Sequence, residues 1–455
     1  MSKGPALLAL ALFLLLGLGA LGLHSVGMSP INLPANIAVG TGMGAKLACS
    51  SHFLSGFDKD QIREDLATYS PAIDWFTIRL DEDVQRASVD LLGLFSASAT
   101  YRRGIGCTLD QPNMSLLDNL EQRDATTVDD SRLWPVGPRV AEADSRLENA
   151  LSQSLAADQR EGLQTRALVM VLGGEIVAEA YAAGITPETP LMGWSLGKSL
   201  TSLMIGWLQR QGLVAVSEND LFAQWDDDRV KISVENLLHM SSGLDFDEVY
   251  APGSDATRML FMDAVASGLP LQSALAEAPG THFYYSSGTT NLLTLLFNER
   301  VGGPQNALNH LYQDILWPLG MRHTTLEPDA NGVFVGSSNI YASARDWARL
   351  GQVFLRRGEL NGVRIANEIY MQAATQPNNS GNSPAYGYQV WLNSGGNKLR
   401  WPDLPADAYA FTGNRGQVVM IVPSRGAVLV RMGWSARYYP RNERFAAWLR
   451  AASDG

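Results

Sequence analysis

The chain has 455 residues, 46% of them hydrophobic and 18% charged, with a formal net charge of −11. That length and apolar content describe a globular protein with a large buried core, not a disordered chain. The charge argues against a nucleic-acid partner, because phosphate binding needs clustered Lys and Arg and the sequence contains no basic run.

In chain order, the first feature is the uncharged stretch ALLALALFLLLGLGALGL over residues 6–23, behind Lys3. Residues 1–27 therefore read as a signal peptide or an N-terminal membrane anchor. With Lys3 on the cytoplasmic side, the remainder is exported, to the periplasm or cell envelope, with membrane attachment if the segment stays uncleaved. Residues 24–45 are rich in Gly, Pro and small polar residues and read as a linker. Residues 28–138 as a whole form a linker and N-terminal extension without a chemical motif. Within it, DKDQIREDLATY has helical spacing and SVDLLGLFSASATYRRG has strand-like portions. Cys49 and Cys107 both lie there. An oxidising compartment would permit one disulfide between them, and two separate buried thiols are the alternative.

The main domain is expected over 139–455. RVAEADSRLENALSQSLA is helical in its apolar spacing, and ALVMVLGGEIVAEAYAAG is two apolar runs broken by Gly173-Gly174, a hairpin signal. Near the other end, AYAFTGNRGQVVMIVPSRGAVLVRMGW gives further strands, and RNERFAAWLRAA closes with a helix. The pattern predicts an α+β fold. Both ends of the domain would build one antiparallel sheet, with helices around it and an all-helical portion between.

Two catalytic signatures overlap on one serine. Gly193-Trp194-Ser195-Leu196-Gly197 reads as G-x-S-x-G, the elbow of an α/β-hydrolase, and Ser195-Leu196-Gly197-Lys198 reads as S-x-x-K. The elbow needs a buried strand just before the serine and a histidine late in the chain. Pro187 and Pro190 stand where that strand would run, and His323 is the last histidine. The lysine reading fits better. Leu200, Leu203, Met204, Trp207 and Leu208 are spaced as one face of an amphipathic helix that stops at Gly212. Ser195 then sits in the first turn, and Lys198 lies about one turn along on the same face. Burial lowers a lysine's pKa, and a neutral amine can accept a hydroxyl proton.

A Ser/Lys pair needs a third group to carry the proton to the leaving atom. PGTHFYYSSGTTNLLTLL, residues 279–296, offers Tyr284, Tyr285, Ser286 and Ser287 on a polar loop entering a helix. One of the two serines is expected to cap that helix.

With these residues in view, the chain resembles the serine β-lactamase and penicillin-binding-protein superfamily in its class C-like branch. It looks most like the 6-aminohexanoate-dimer hydrolases and related esterases. Five further blocks carry the likeness: ISVENLLHMSSGLDFDEVY, PGTHFYYSSG, ILWPLGMRHTTLEPDANGVFVGSS, YASARDWARLGQVFLRRGELNG and AYGYQVWLN. The resemblance implies a β-lactamase/transpeptidase-like fold, with Ser195 as the acylated nucleophile, Lys198 as its base and Tyr285 opening the second motif. That motif reads Tyr285-Ser286-Ser287, with Ser287 in place of the family's amide. The third motif departs further, to Phe411-Thr412-Gly413, followed by Asn414 as an oxyanion donor.

Phenylalanine cannot anchor a substrate carboxylate. A substrate without one in that place is therefore expected, unless Arg415 supplies the charge rather than standing as a solvated turn residue. Cleavage of a small-molecule ester or amide is the leading expectation, carboxylesterase or amidase. A true β-lactamase or D-aminopeptidase, and a catalytically impaired envelope sensor or scaffold, are the alternatives. No cofactor or metal is called for, since the six histidines are scattered and His239 reads as structural.

Overall fold

In the computed structural model, which describes residues 33–121, 131–141 and 143–453, the two strand-rich ends of the main domain meet in one sheet. The chain enters through helix α2 (Ser145–Arg160) and the hairpin β5 (Thr165–Leu172) and β6 (Glu175–Tyr181). It returns near its end through β7 (Trp391–Leu392), β8 (Tyr409–Gly413), β9 (Gln417–Val422) and β10 (Ala427–Gly433), closing with helix α6 (Arg441–Ser453). The order is β7-β8-β9-β10-β5-β6, antiparallel throughout, so β10 pairs with β5 across more than 250 residues of sequence. Gly173 and Gly174 both adopt positive φ in the β5–β6 turn, the backbone a tight two-residue hairpin requires.

The sheet is covered on both faces, which is why its strands are apolar at nearly every position. Alternate residues divide between two cores. Leu168, Met170, Met420 and Leu429 face Leu151, Phe445 and Trp448 of α2 and α6. Val169, Val419, Val428 and Val430 face the other way, onto the core that holds Trp347 and Leu350 of helix α5 (Ala344–Leu355). Helices α3 (Gly197–Arg210) and α4 (Ser287–Arg300) lie deep on that second side and carry Lys198 and Ser287. The expected α+β architecture is the one observed.

The N-terminal extension is a compact layer of its own. Helix α1 (Leu33–Phe53) packs on a four-stranded antiparallel meander, β1 (Phe76–Asp81), β2 (Arg86–Leu91), β3 (Phe95–Arg102) and β4 (Gly106–Leu109). The linker expected over 24–45 is therefore a helix from Leu33 onward. Its small residues serve close approach, not flexibility. A Cβ on Gly44 would stand 3.2 Å from Val89 of β2, and one on Gly42 would stand 2.0 Å from the carbonyl oxygen of Phe261 in the main domain. Cys49 and Cys107 form a disulfide that ties α1 to β4. The expected signal or anchor over 1–27 lies outside the described residues, and among the described residues no helix is long and apolar enough to cross a membrane.

Polar contacts fasten the extension to the main domain. The Lys46 ammonium pairs with the Glu327 carboxylate, both fully buried. Ser50 Oγ and the Cys107 N–H also donate to Glu327, at 2.8 and 2.7 Å. Burial lowers the Lys46 pKa, and Glu327 opposes that shift. On the Trp194 side, Asp65 pairs with Arg166 of β5, and Trp434 Nε1 donates to the Asp65 carbonyl at 2.9 Å.

Candidate active site

The serine signature is presented by a strained turn. Leu191–Met192, just before Ser195, is buried but only a two-residue strand on the edge of a three-stranded sheet, as the neighbouring prolines demand, and not the central strand an elbow requires. Trp194 follows with φ of +50°, a left-handed conformation that costs a non-glycine residue roughly 1–2 kcal/mol. Aromatic packing holds it there, with ring centroids 6.1 Å from Trp434 and 6.3 Å from Tyr69 of the extension. Ser195 sits in the 3-10 turn Trp194–Leu196, which runs straight into α3.

The two glycines that complete the elbow pattern have a packing explanation. A Cβ on Gly193 would lie 2.4 Å from the Trp347 ring, and one on Gly197 would lie 2.5 Å from the Gly336 carbonyl oxygen.

Helix α3 departs from the amphipathic expectation. It is buried on every side from Gly197 to Leu208, not along one face. Its non-apolar side carries Ser199 and Ser202, which bond Gln389 and Tyr370 and so satisfy that interior face. The expected stop holds: α3 ends at Arg210 and Gly212 takes φ of +73° just beyond.

Lys198 Nζ lies 3.1 Å from Ser195 Oγ, 3.0 Å from Ser287 Oγ and 3.0 Å from the Ser337 carbonyl oxygen. The side chain is 1% exposed, and burial brings its pKa down to about 8, with the Glu248 carboxylate working in the opposite direction. Three partners satisfy an ammonium. A neutral amine would keep two of them as acceptors and turn its lone pair to the third. The Ser337 carbonyl cannot donate and the Ser287 hydroxyl gives its proton to Glu248, so the donor is Ser195.

The second motif divides its labour. Ser286 caps α4, its Oγ accepting from the Thr289 N–H at 3.1 Å, which leaves Ser287 free to face Lys198. The Tyr285 ring centroid is 4.9 Å from Lys198 Nζ, and the ring stacks on Trp391 at 5.2 Å. Burial pushes its phenol well above the ordinary tyrosine range, and a hydrogen bond with Ser195 pulls it partly back.

Glu248 and Tyr250 were not anticipated. One Glu248 oxygen accepts from Ser287 Oγ and the other from the Ser287 N–H, each at 2.6 Å. Tyr250 bonds the same carboxylate at 3.1 Å and Ser287 Oγ at 3.3 Å. Both residues sit in the block LDFDEVY, but a Glu among Asp residues on an apparent loop carries no sequence signal of contact with a helix 40 residues away.

At the third motif, Phe411 is turned into the core against Phe354, at 4.8 Å between centroids. Thr412 and Gly413 end β8 directly against the turn that carries Ser195, since a Cβ on Gly413 would stand 2.3 Å from the Gly193 carbonyl oxygen. Asn414 follows, its Oδ1 accepting from the Arg415 N–H. Arg415 is not a solvated turn residue. Its guanidinium lies 3.6 Å from the Tyr69 ring centroid and donates to the Thr68 carbonyl at 3.2 Å. That engagement with the extension leaves the proposed carboxylate-anchoring role without support. His239 packs edge-on to Tyr388 at 4.7 Å, apart from the Ser195 cluster. Among the described residues no group of three or more His, Cys, Asp or Glu is placed to hold a metal ion.

Sheet, helices and motif order together define a β-lactamase/transpeptidase-like protein. The chain matches the Beta-lactamase family model over residues 147–453 and belongs to that family. Within it, the chain is similar to the 6-aminohexanoate-dimer hydrolase of Paenarthrobacter ureafaciens, at 27% identity over 262 residues. That match takes in 53% of this chain and 65% of the relative's length. The fold is shared with a family VIII carboxylesterase (TM-score 0.54, 14% identity, 68% of this chain and 99% of that one). It is shared also with a class C beta-lactamase (TM-score 0.50, 15% identity, 68% and 96%). The family match begins beyond the extension, so residues 33–121 are an addition to the matched domain.

Proposed function

We propose that the chain is a serine hydrolase that cleaves a small ester or amide through an acyl-enzyme on Ser195. The observation that carries this reading is a buried amine 3.1 Å from the Ser195 hydroxyl, with its pKa lowered to about 8. At that value a useful fraction of Lys198 is neutral near physiological pH.

Lys198 takes the Ser195 proton as Oγ bonds to the carbonyl carbon. The tetrahedral oxyanion faces the Ser195 N–H at the head of α3 and the backbone at Gly413 and Asn414, where β8 closes on the turn. Tyr285, whose ring lies 4.9 Å from Lys198 Nζ, relays the proton from Lys198 to the leaving oxygen or nitrogen as the carbonyl–heteroatom bond breaks. Water then adds to the acyl carbon, its proton returns through the same pair, and the acid leaves with Ser195 restored. Ser287 and Glu248 hold the Lys198 side chain in place throughout and stabilise it once it carries the proton.

An anionic β-lactam is the poorer substrate on this reading, because Phe411 is in the core and Arg415 is held by Tyr69. Export is supported by the apolar stretch 6–23 and by the disulfide, which suits an oxidising compartment.

A fluorophosphonate probe is expected to label Ser195, and Ser195→Ala to remove turnover of short-chain p-nitrophenyl esters. An unchanged rate in Ser195→Ala would end the proposal. A Ser195 adduct that persists with every ester, amide and β-lactam tried would favour a ligand-binding sensor instead.

A further inference from the structure

The extension contributes more than stability. A cavity of about 320 Å³ lies between it and the catalytic motifs. One wall belongs to the extension and includes Met43, Tyr69, Ala72 and Ile73; the other belongs to the main domain and includes Trp194, Tyr250, Phe261 and Asn414. Three of these stand one step from the reacting groups. Trp194 precedes the nucleophile, Asn414 follows the glycine packed on the nucleophile turn, and Tyr250 bonds Ser287.

Among the described residues that line the cavity, none is Asp, Glu, Lys or Arg. Arg415, next to the lining residue Asn414, is drawn onto the Tyr69 ring, and its Nε is buried without a hydrogen-bond partner. The space amounts to roughly eleven water volumes at ~30 Å³ each, the size of pockets that take small organic groups.

We propose that this cavity is the substrate-side pocket of the enzyme, and that residues 36–76 select a neutral, apolar chain on the scissile ester or amide. The pocket has room for a chain on the order of eight carbons by the same volume. A terminal carboxylate or ammonium entering it would be desolvated with no opposite charge to meet. The inference rests on the serine-hydrolase reading and adds the substrate class.

The test uses the full chain and two ester series. In one, the acyl group of a p-nitrophenyl ester runs from acetate to decanoate. In the other, the alcohol of a butyrate ester runs from methyl to decyl. In one of the two arms, kcat/KM is expected to rise roughly threefold to fourfold per methylene up to about eight carbons and then fall. The arm that responds tells which side of the carbonyl enters the cavity. A carboxylate at the chain end is expected to lower kcat/KM at least tenfold against the neutral chain of equal length. Ala72→Phe should move the optimum to shorter chains and Ile73→Ala to longer ones, opposite displacements that a merely weakened fold would not produce.

A flat profile in both arms, with Ser195 still labelled and turning over, overturns the pocket while leaving the hydrolase intact. Absence of both labelling and turnover overturns the hydrolase reading first, and this one with it.

Discussion

Replacing Glu248 by Gln removes one negative charge from the Ser287 end of the Lys198 network and keeps the side chain's size. Two hydrogen bonds, 2.6 Å from Glu248 to Ser287 Oγ and 3.0 Å from there to Lys198 Nζ, place carboxylate and ammonium about 5 Å apart across a bent hydroxyl. With an effective dielectric of about 20–40, that attraction is roughly 2–3 kcal/mol, or about one to two pH units on the lysine. Glu248 favours the ammonium, so losing it favours the neutral amine. The Lys198 pKa therefore falls further below about 8.

The assay is the pH dependence of kcat/KM on a neutral ester. Wild type should show a rising limb centred near pH 8. Glu248→Gln should show the same limb displaced downward by about one to two pH units, so that at pH 6 the variant works at a larger fraction of its own maximum. Its maximum should be lower, since Gln cannot accept from both the N–H and Oγ of Ser287 as the carboxylate does. A limb that stays near pH 8, or moves up, would refute the claim that Lys198 is the base and that Glu248 sets its protonation.

Two predictions concern the extension. Lys46→Met leaves the fully buried Glu327 carboxylate without its counter-charge and should cost about 3–5 kcal/mol in urea unfolding, with Lys46→Met/Glu327→Gln recovering most of it; a single-variant loss under about 1 kcal/mol would show the pair is dispensable. Thiol titration of the unreduced chain should find no free cysteine, and reducing the Cys49–Cys107 bridge, with its sequence separation of 58, should lower stability by about 4 kcal/mol on the chain-entropy account. Two reactive thiols before reduction would refute the pairing.

Much of the site was legible because its chemistry is local. Ser195 and Lys198 are three residues apart, and any helix starting there must bring them within reach of each other. The sequence places a helix cap at Ser286 or Ser287, and where α4 starts settles it: Ser286 is the cap and Ser287 the residue that faces Lys198. The sheet was legible for a similar reason, since alternation and a Gly-Gly turn announce strands and a hairpin whatever surrounds them. The linker reading fails over residues 33–45 because composition does not distinguish glycines that loosen a chain from glycines that let a helix touch its neighbours.

By itself, then, the sequence determined the fold class, the antiparallel sheet from both ends of the domain, and the choice of a lysine over a histidine beside the serine. Only the tertiary structure decided that Glu248 reaches Ser287, that Arg415 turns to Tyr69, and that the extension walls a neutral cavity beside Trp194. Spacing along a helix or strand is dictated by backbone geometry and can be read one residue at a time. Contacts between segments tens or hundreds of residues apart depend on how whole layers dock, and short-range periodicity carries no information about that.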